Sequence, residues 1–142
     1  MYLPDIKFFS PTVSKRYCGK ENYFEIASKS IEFMAKSKPL VFNSDGLIKS
    51  GVIVRHLVLP QNVSDSKKIL DWFVNIKDLA YLNVMSQYTP FGKIDAFFEL
   101  KRKLTKREYE NVIDYAISLG LEKMLYQDYK SASTEYIPSW DY

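Results

Sequence analysis

Gly51-Val-Ile-Val-Arg-His-Leu-Val-Leu-Pro60 decides how this chain folds. Eight residues stand between a glycine and a proline, and six of them are Val, Ile or Leu. A near-continuous aliphatic run bounded by breakers is the pattern of a strand buried on both faces, and such strands belong in parallel sheets covered by helices. Arg55 and His56 interrupt the run and, by the alternation of a strand, point to opposite faces. A charge inside a buried strand is costly unless something pairs with it. Either the sheet face at Arg55 opens on a cavity or a carboxylate meets the guanidinium there, and spacing alone favours neither.

Upstream of this run, Tyr2-Leu-Pro-Asp-Ile-Lys-Phe-Phe9 reads as a strand that begins at once and ends near Asp5 to Lys7. Ser10-Pro11 then offers an N-cap with proline at the first helical position, which predicts a short helix over Pro11 to Tyr17, broken by Cys18-Gly19-Lys20. Asn22 to Ser37 is the first long helix, with Phe24, Ile26, Ala27, Ile31, Phe33, Met34 and Ala35 as a broad apolar stripe. Asn43-Ser-Asp-Gly46 between apolar pairs is a hairpin or tight-turn signal.

Downstream, Val52 to Leu59 is the organising strand. Asn62 and Ser64 are candidate caps for a helix from about Asp65 to Ile76. Leu79 to Ser86 is the next strand, and the long connection Gln87 to Leu104 has the length of a functional loop. Thr105-Lys-Arg-Glu108 is a capping box opening a helix to Leu119, with Tyr109, Val112, Ile113, Ala116 and Ile117 inward and Gly120 as its stop. Met124 to Gln127 reads as a last strand, before a polar tail with scattered aromatics. Strand, helix, strand, helix, strand, helix, strand is the order of a parallel sheet with right-handed crossovers. Four such strands with one helix layer match half a β/α barrel or an open α/β sheet. No linker or internal repeat divides residues 1–142, so one domain is expected.

The chain has 142 residues, with 20 Lys and Arg against 17 Asp and Glu, a net charge of +3. That charge is too weak to imply nucleic acid or an acidic membrane surface. Pro4, Asp5, Lys7 and Pro11 argue against a signal peptide, and no apolar run approaches the ~18 residues of a membrane-spanning helix. Cytoplasmic location is the default expectation. A single cysteine, Cys18, excludes an internal disulfide and any self-contained cysteine-ligated cluster.

The candidate site residues gather at strand ends. Asp5 and Lys7 form an Asp-x-Lys pair on one face of the first strand, and Arg55 lies one strand along. Ligands of α/β folds bind at the carboxyl ends of strands, and two cations with a carboxylate on one rim suit a carboxylate or phosphate ligand. A solvated Asp5–Lys7 ion pair is the plainer reading. Ser86-Gln-Tyr88 follows a strand and could hydrogen-bond a base or ribose, although ordinary loop polarity accounts for it as well. His56 is the only histidine, and a lone histidine is more often structural than catalytic. The basic residues between Lys101 and Arg107 read as a solvated face without aromatics for base stacking.

Several blocks carry a family resemblance: Tyr2-Leu-Pro-Asp-Ile-Lys7, Lys15-Arg-Tyr-Cys-Gly19, Gly51 to Pro60, Asn83-Val-Met-Ser-Gln-Tyr-Thr-Pro90 and Leu104-Thr-Lys-Arg-Glu-Tyr-Glu110. Together they resemble the carboxyl-terminal half of radical S-adenosylmethionine (SAM) proteins similar to pyruvate formate-lyase activating enzymes. The resemblance implies half of a partial, TIM-like (β/α) barrel, and for the family SAM and a 4Fe-4S cluster. The Cys-x-x-x-Cys-x-x-Cys loop that ligates the cluster, and the Gly-rich segment that holds the SAM amino group, are absent from this chain. By the resemblance, Asp5, Lys7 and Arg55 lie near the SAM methionyl carboxylate and Leu57 near adenine. Tyr88 falls where activating enzymes place a nucleoside-contacting histidine. Implied partners are the missing amino-terminal half, or self-association through an exposed strand edge, and a glycyl radical enzyme. Alone the chain is expected to be catalytically silent, as half of a longer or split protein or as a decayed fragment. The alternative is an independent small α/β binding module for an anionic metabolite.

Overall fold

The computed structural model describes residues 1–87 and 97–126. The fold is mixed α/β, with parallel and antiparallel strands and interspersed helices. Helix α1 spans Pro11–Cys18 and α2 Tyr23–Ser37. A hairpin of β1 (Val41–Phe42) and β2 (Ile48–Ser50) follows, then β3 (Ile53–Leu57) and α3 (Val63–Phe73), which tightens into a 3₁₀ turn over Val74–Ile76. The chain continues with β4 (Tyr81–Met85), a 3₁₀ turn at Phe98–Lys101, α4 (Lys106–Ser118) and β5 (Met124–Tyr126). Strands β3, β4 and β5 are parallel and adjacent in that order.

The amino-terminal segment lies parallel to β3 as a fourth, irregular member of this sheet, bridged at Tyr2–Val52 and Asp5–Arg55. Pro4 explains why it is not a continuous strand. Its carbonyl accepts from the Arg55 amide, but it has no N–H to return to the ladder. The expected strand therefore exists as a pairing, and Asp5 does stand beside Arg55.

Alternation sorts the sheet into two faces. Val52, Val54 and Val58 join Leu82, Val84 and Met124 on the face that packs against Ile31 and Ala35 of α2, Ile69, Leu70 and Phe73 of α3, and Val112, Ile113 and Ala116 of α4. Tyr109 is wholly buried there and its hydroxyl donates to the Val84 carbonyl at 2.6 Å. On the other face, Phe42 packs against the Tyr81 ring, which puts the hairpin at the Ile53–Tyr81 end. Gly51 permits the close approach of that hairpin: a Cβ there would meet Leu40 Cδ2 at 2.6 Å, and its φ of 139° is strained for any side chain.

The Asn43 turn forms through its own side chain, which accepts from the Asp45 and Leu47 amides. The capping box of α4 is complete: Thr105 accepts from the Glu108 amide, and Glu108 accepts from the Thr105 amide. Other local readings are corrected. Ser10 and Asn62 stand at the N-cap positions of α1 and α3, yet neither side chain caps a helix, and α2 begins one residue after Asn22. Ser64 lies inside α3. Ile26 and Phe33 of α2 and Ile117 of α4, expected inward, are 58%, 73% and 54% exposed. In α2 the buried line is Ser28, Ile31 and Ala35, and Ile26 and Phe33 stand on the opposite face of the helix, turned away from the core.

Candidate functional site

The second sheet face carries the candidate residues. Register places Arg55 beside Asn83 of β4, and the amino-terminal bridge places Asp5 beside Arg55, so one row across the sheet reads Asp5, Arg55, Asn83. One step toward the carboxyl end, Leu57 stands level with Met85. Asp5 Oδ1 accepts from Arg55 Nε at 2.7 Å, with the two side chains 41% and 27% exposed. Of the two possibilities raised by the sequence, the carboxylate is the one seen: Asp5 meets the guanidinium, and both side chains remain partly accessible to solvent. Lys7 is exposed, and its amide donates to the Tyr23 hydroxyl at 2.9 Å. Leu57 is half-buried on the Arg55 face. Tyr88 lies outside the described residues, so it is not placed relative to the other four.

His56 occupies the opposite face and is fully buried. Nδ1 lies 2.8 Å from the Ile6 carbonyl and Nε2 lies 2.8 Å from Ser66 Oγ. A carbonyl only accepts, so Nδ1 carries the proton and Nε2 accepts from the Ser66 hydroxyl. Burial pushes the imidazole pKa below 6.5, which keeps the ring neutral. This is a structural histidine that ties the amino-terminal segment to α3. The adjacent Asp65 works to the same end: its two oxygens accept from the Phe9 and Ser10 amides at 2.9 and 2.8 Å.

Two carboxylates lace the described loops near the carboxyl end of β3. Glu99 accepts from Arg16 Nε and Nη2 at 2.9 and 3.0 Å and from the Tyr17 hydroxyl at 2.6 Å. Tyr17 in turn accepts from Asn62 Nδ2 at 3.0 Å. Glu108 takes both Arg102 Nη1 and Nη2, at 2.8 and 3.0 Å, and the Gln61 amide at 2.7 Å. Arg16, with help from Tyr17, holds the Glu99 carboxyl down to about 2, and Arg102 is the chief cause of the same depression at Glu108. Burial is the main cause of the raised Tyr17 pKa, with Glu99 second. These groups join α1, the β3–α3 loop and the approach to α4 into one support. Sequence reasoning missed Glu99, Tyr17 and Asn83, and read Asn62 as a helix cap rather than as the donor to Tyr17. Only Asn83 left a signal, as a polar residue within an otherwise apolar strand, the same anomaly that drew attention to Arg55.

The cofactors implied by the resemblance do not fit the chain. A 4Fe-4S cluster that binds SAM through its fourth iron needs three cysteine ligands, and the only cysteine is the exposed Cys18. Among the described residues no group of three or more His, Cys, Asp or Glu could hold a metal ion. Iron-sulfur chemistry, the 4Fe-4S cluster and S-adenosyl-L-methionine are therefore withdrawn as attributes of this chain. Among the described residues no helix is long and apolar enough to cross a membrane.

The chain is a mixed α/β protein with a charged and polar row at the open face of a parallel sheet. No family model matches its sequence, and no solved structure matches it. It is similar to an uncharacterized protein of Methanocaldococcus jannaschii, 30% identical over 123 residues, which cover 86% of this chain and 32% of that protein. The chain thus spans about a third of the length of the relative it matches.

Proposed function

We propose that this chain is a small-molecule-binding module that takes an anionic metabolite on the open sheet face, at Arg55 with Lys7 and Leu57. The observation that carries the reading is the Asp5–Arg55 pair. An arginine in the middle of a parallel strand is held at Nε by Asp5, at 2.7 Å, on a face that solvent reaches. A guanidinium fixed in orientation by a neighbouring carboxylate is pre-organised for a planar anion, and Lys7 adds a second cation on the same rim. Leu57 and Met85, beside that row, supply apolar surface for the body of the ligand. Binding rather than catalysis is favoured because the one histidine is committed on both nitrogens to structural bonds.

The succession of the amino-terminal segment, β3, β4 and β5 in sheet order supports a finer reading of the fold as half of a partial β/α barrel, with the Arg55 face as the inner wall. Descent from the carboxyl-terminal half of a pyruvate formate-lyase activating enzyme-like protein is compatible with that reading and adds no cofactor to it.

Isothermal titration of the chain with small mono- and dicarboxylates and with phosphate monoesters tests the site. A charge-assisted contact contributes about 1.5–3 kcal/mol, so Arg55→Ala is expected to weaken binding by about ten-fold or more. Lys103→Ala should change it little. Equal losses from the two substitutions would indicate unspecific electrostatics, and no loss from Arg55→Ala would reduce the arginine to a structural ion-pair member.

A further inference from the structure

The amino-terminal segment is the outer edge of the parallel sheet. Tyr2, Pro4 and Ile6 turn their backbone groups inward: the Tyr2 amide donates to the Gly51 carbonyl, the Tyr2 and Pro4 carbonyls accept from the Ile53 and Arg55 amides, and the Ile6 amide donates to the Arg55 carbonyl. Leu3, Asp5 and Lys7 therefore turn theirs outward. The Lys7 amide is taken by the Tyr23 hydroxyl at 2.9 Å, whereas nothing among the described residues hydrogen-bonds the backbone groups of Leu3 and Asp5. Proline blunts a sheet edge when its missing N–H faces outward. Pro4 faces β3, so the edge keeps its outward donors and acceptors at the spacing of a strand.

Helix α2 flanks this edge and closes both ends of it. Tyr23 meets Lys7 at one end, and the Lys38 ammonium lies 5.7 Å from the centre of the Tyr2 ring at the other. Between them Ala27, Ser30, Met34 and Ser37 form a stripe roughly a third of a turn round the helix from the buried Ser28, Ile31 and Ala35. Ala27 and Met34 are partly buried against the core, and Ser30 and Ser37 are exposed. A groove of about 560 Å³ lies here, lined by Tyr2, Lys29, Ser30, Phe33, Met34 and Ser37.

Side chains alternate along the edge. Asp5 lies on the open face with Arg55, so Leu3 and Lys7 share that face, and Tyr2 and Pro4 turn toward the helices. A strand laid against Leu3 and Asp5 keeps the alternation. Every second residue of it enters the groove, where Phe33, Met34 and the Tyr2 ring give apolar contact and the small Ser30 and Ser37 leave room. The charge at the edge is positive: Lys7 and Lys38 stand at its two ends, while the nearby carboxylates are already engaged, Asp5 with Arg55 and Glu25 with Lys29. We propose that this edge takes an extended segment of a partner protein as an added strand, with apolar residues at alternate positions in the α2 groove and acidic residues at its ends. The occupant is polypeptide because an extended backbone offers donors and acceptors at the repeat that Leu3 and Asp5 present.

Blocked synthetic peptides test the proposal on the 142-residue chain. In the first, Val alternates with Ser and Glu residues close both ends; in the second, Lys replaces every Glu; in the third, proline replaces the central Val residues. Affinity is read by titration calorimetry, and occupancy by amide hydrogen exchange at Leu3 and Asp5. The Glu peptide is expected to bind and to slow exchange at both amides, and the Lys and proline peptides to bind roughly ten-fold more weakly or worse. Leu3→Pro removes an outward donor without touching the bonds to β3, and Ser30→Glu sets a like charge in the groove at an exposed position. Each should weaken the Glu peptide by roughly ten-fold or more, with circular dichroism confirming the fold. Should Leu3→Pro unfold the chain, Ser30→Glu and the exchange readout decide alone. Ile117→Glu, on the exposed side of α4, should leave binding unchanged. Absence of binding, equal binding of the Glu and Lys peptides, or exchange at Leu3 and Asp5 that the Glu peptide does not slow overturns the proposal. So does protection of those amides in the free chain that grows with its concentration, which assigns the edge to a second copy.

Discussion

Along β3, neighbouring residues meet two different environments. Val54 and His56 look toward the helices and are closed off from water, whereas Arg55 and Leu57 look away and remain partly accessible. The helix-covered face is determined by packing: Phe73, Leu82, Val84, Tyr109 and Val112 fill it, and two of its buried polar residues, His56 and Ser66, bond to each other. The open face has a charged pair, Asp5 and Arg55, where packing would favour aliphatic residues. Stability and recognition are thus divided between alternate residues of one strand, and substitutions on the two faces should report different quantities.

The largest expected effect lies on the covered face. Phe73 is 1% exposed, and Phe73→Ala should destabilise the chain by about 3–5 kcal/mol through lost burial and the cavity left behind. Denaturant unfolding measures it. A loss below about 1 kcal/mol would mean that α3 is not a fixed part of the core and would blur the contrast between the faces.

Next comes the clasp between α3 and the amino-terminal segment. Asp65→Ala strands the Phe9 and Ser10 amides, which now reach its two oxygens. Each unsatisfied donor costs about 1–3 kcal/mol where it is shielded from water, so a loss of about 2 kcal/mol is expected, with Asp65→Asn recovering part of it. Hydrogen exchange at those two amides should quicken in Asp65→Ala. Unchanged exchange would show that other contacts hold the segment.

His56 sharpens the comparison by pH. Its pKa is lowered by burial, so the unfolded chain binds the proton more readily than the folded one. The histidine thus adds no pH-dependent penalty above about 6.5, and stability falls as pH drops below it, by at most about 1.4 kcal/mol per unit. The chain has one histidine, so His56→Gln should flatten the stability profile between about pH 6.5 and 5.5. A slope that survives the substitution would place its origin elsewhere. Lower in pH, Glu99 and Glu108 produce a second decline: both are held at about 2, so their contribution is present above their ordinary value of 4.5 and is lost as pH falls toward 2.

Much of this division was legible in the chain. The aliphatic run around Arg55 announced a buried parallel strand, and the alternation of Arg55 with His56 announced two faces. The capping box at Thr105 and the Asn43 turn were readable because each is a local bond between residues a few positions apart. The roles of Asp65, Glu99 and Tyr17 were not readable, because their partners lie dozens of residues away and only the folded loops bring them together. The same distance effect misled the reading of Ser10: it has the form of a cap, but its amide is taken by Asp65 and its side chain caps nothing. Ile26 and Phe33 misled in another way. Apolar residues in α2 run round more of the helix than the core can cover, so Ile26 and Phe33, opposite the buried Ile31 and Ala35, remain exposed.

The smallest expected effect on stability is at Arg55, and its smallness is what the comparison demands. The Asp5–Arg55 bond is short, but both side chains remain partly in water, where an ion pair contributes about 0–1 kcal/mol. Arg55→Ala leaves Asp5, 41% exposed, hydrated by solvent, and the backbone bonds from Arg55 to Pro4 and Ile6 do not depend on the side chain. Thermal and denaturant unfolding should therefore shift by less than about 1 kcal/mol, while anion binding falls by the larger factor expected of a direct contact. Arg55→Leu separates the two roles further. It restores an aliphatic residue to an aliphatic strand and should leave stability equal or improved, with binding still lost. If instead both substitutions unfold the chain as Phe73→Ala does, Arg55 belongs to the covered side of the comparison, and the open face loses its claim to be the ligand site.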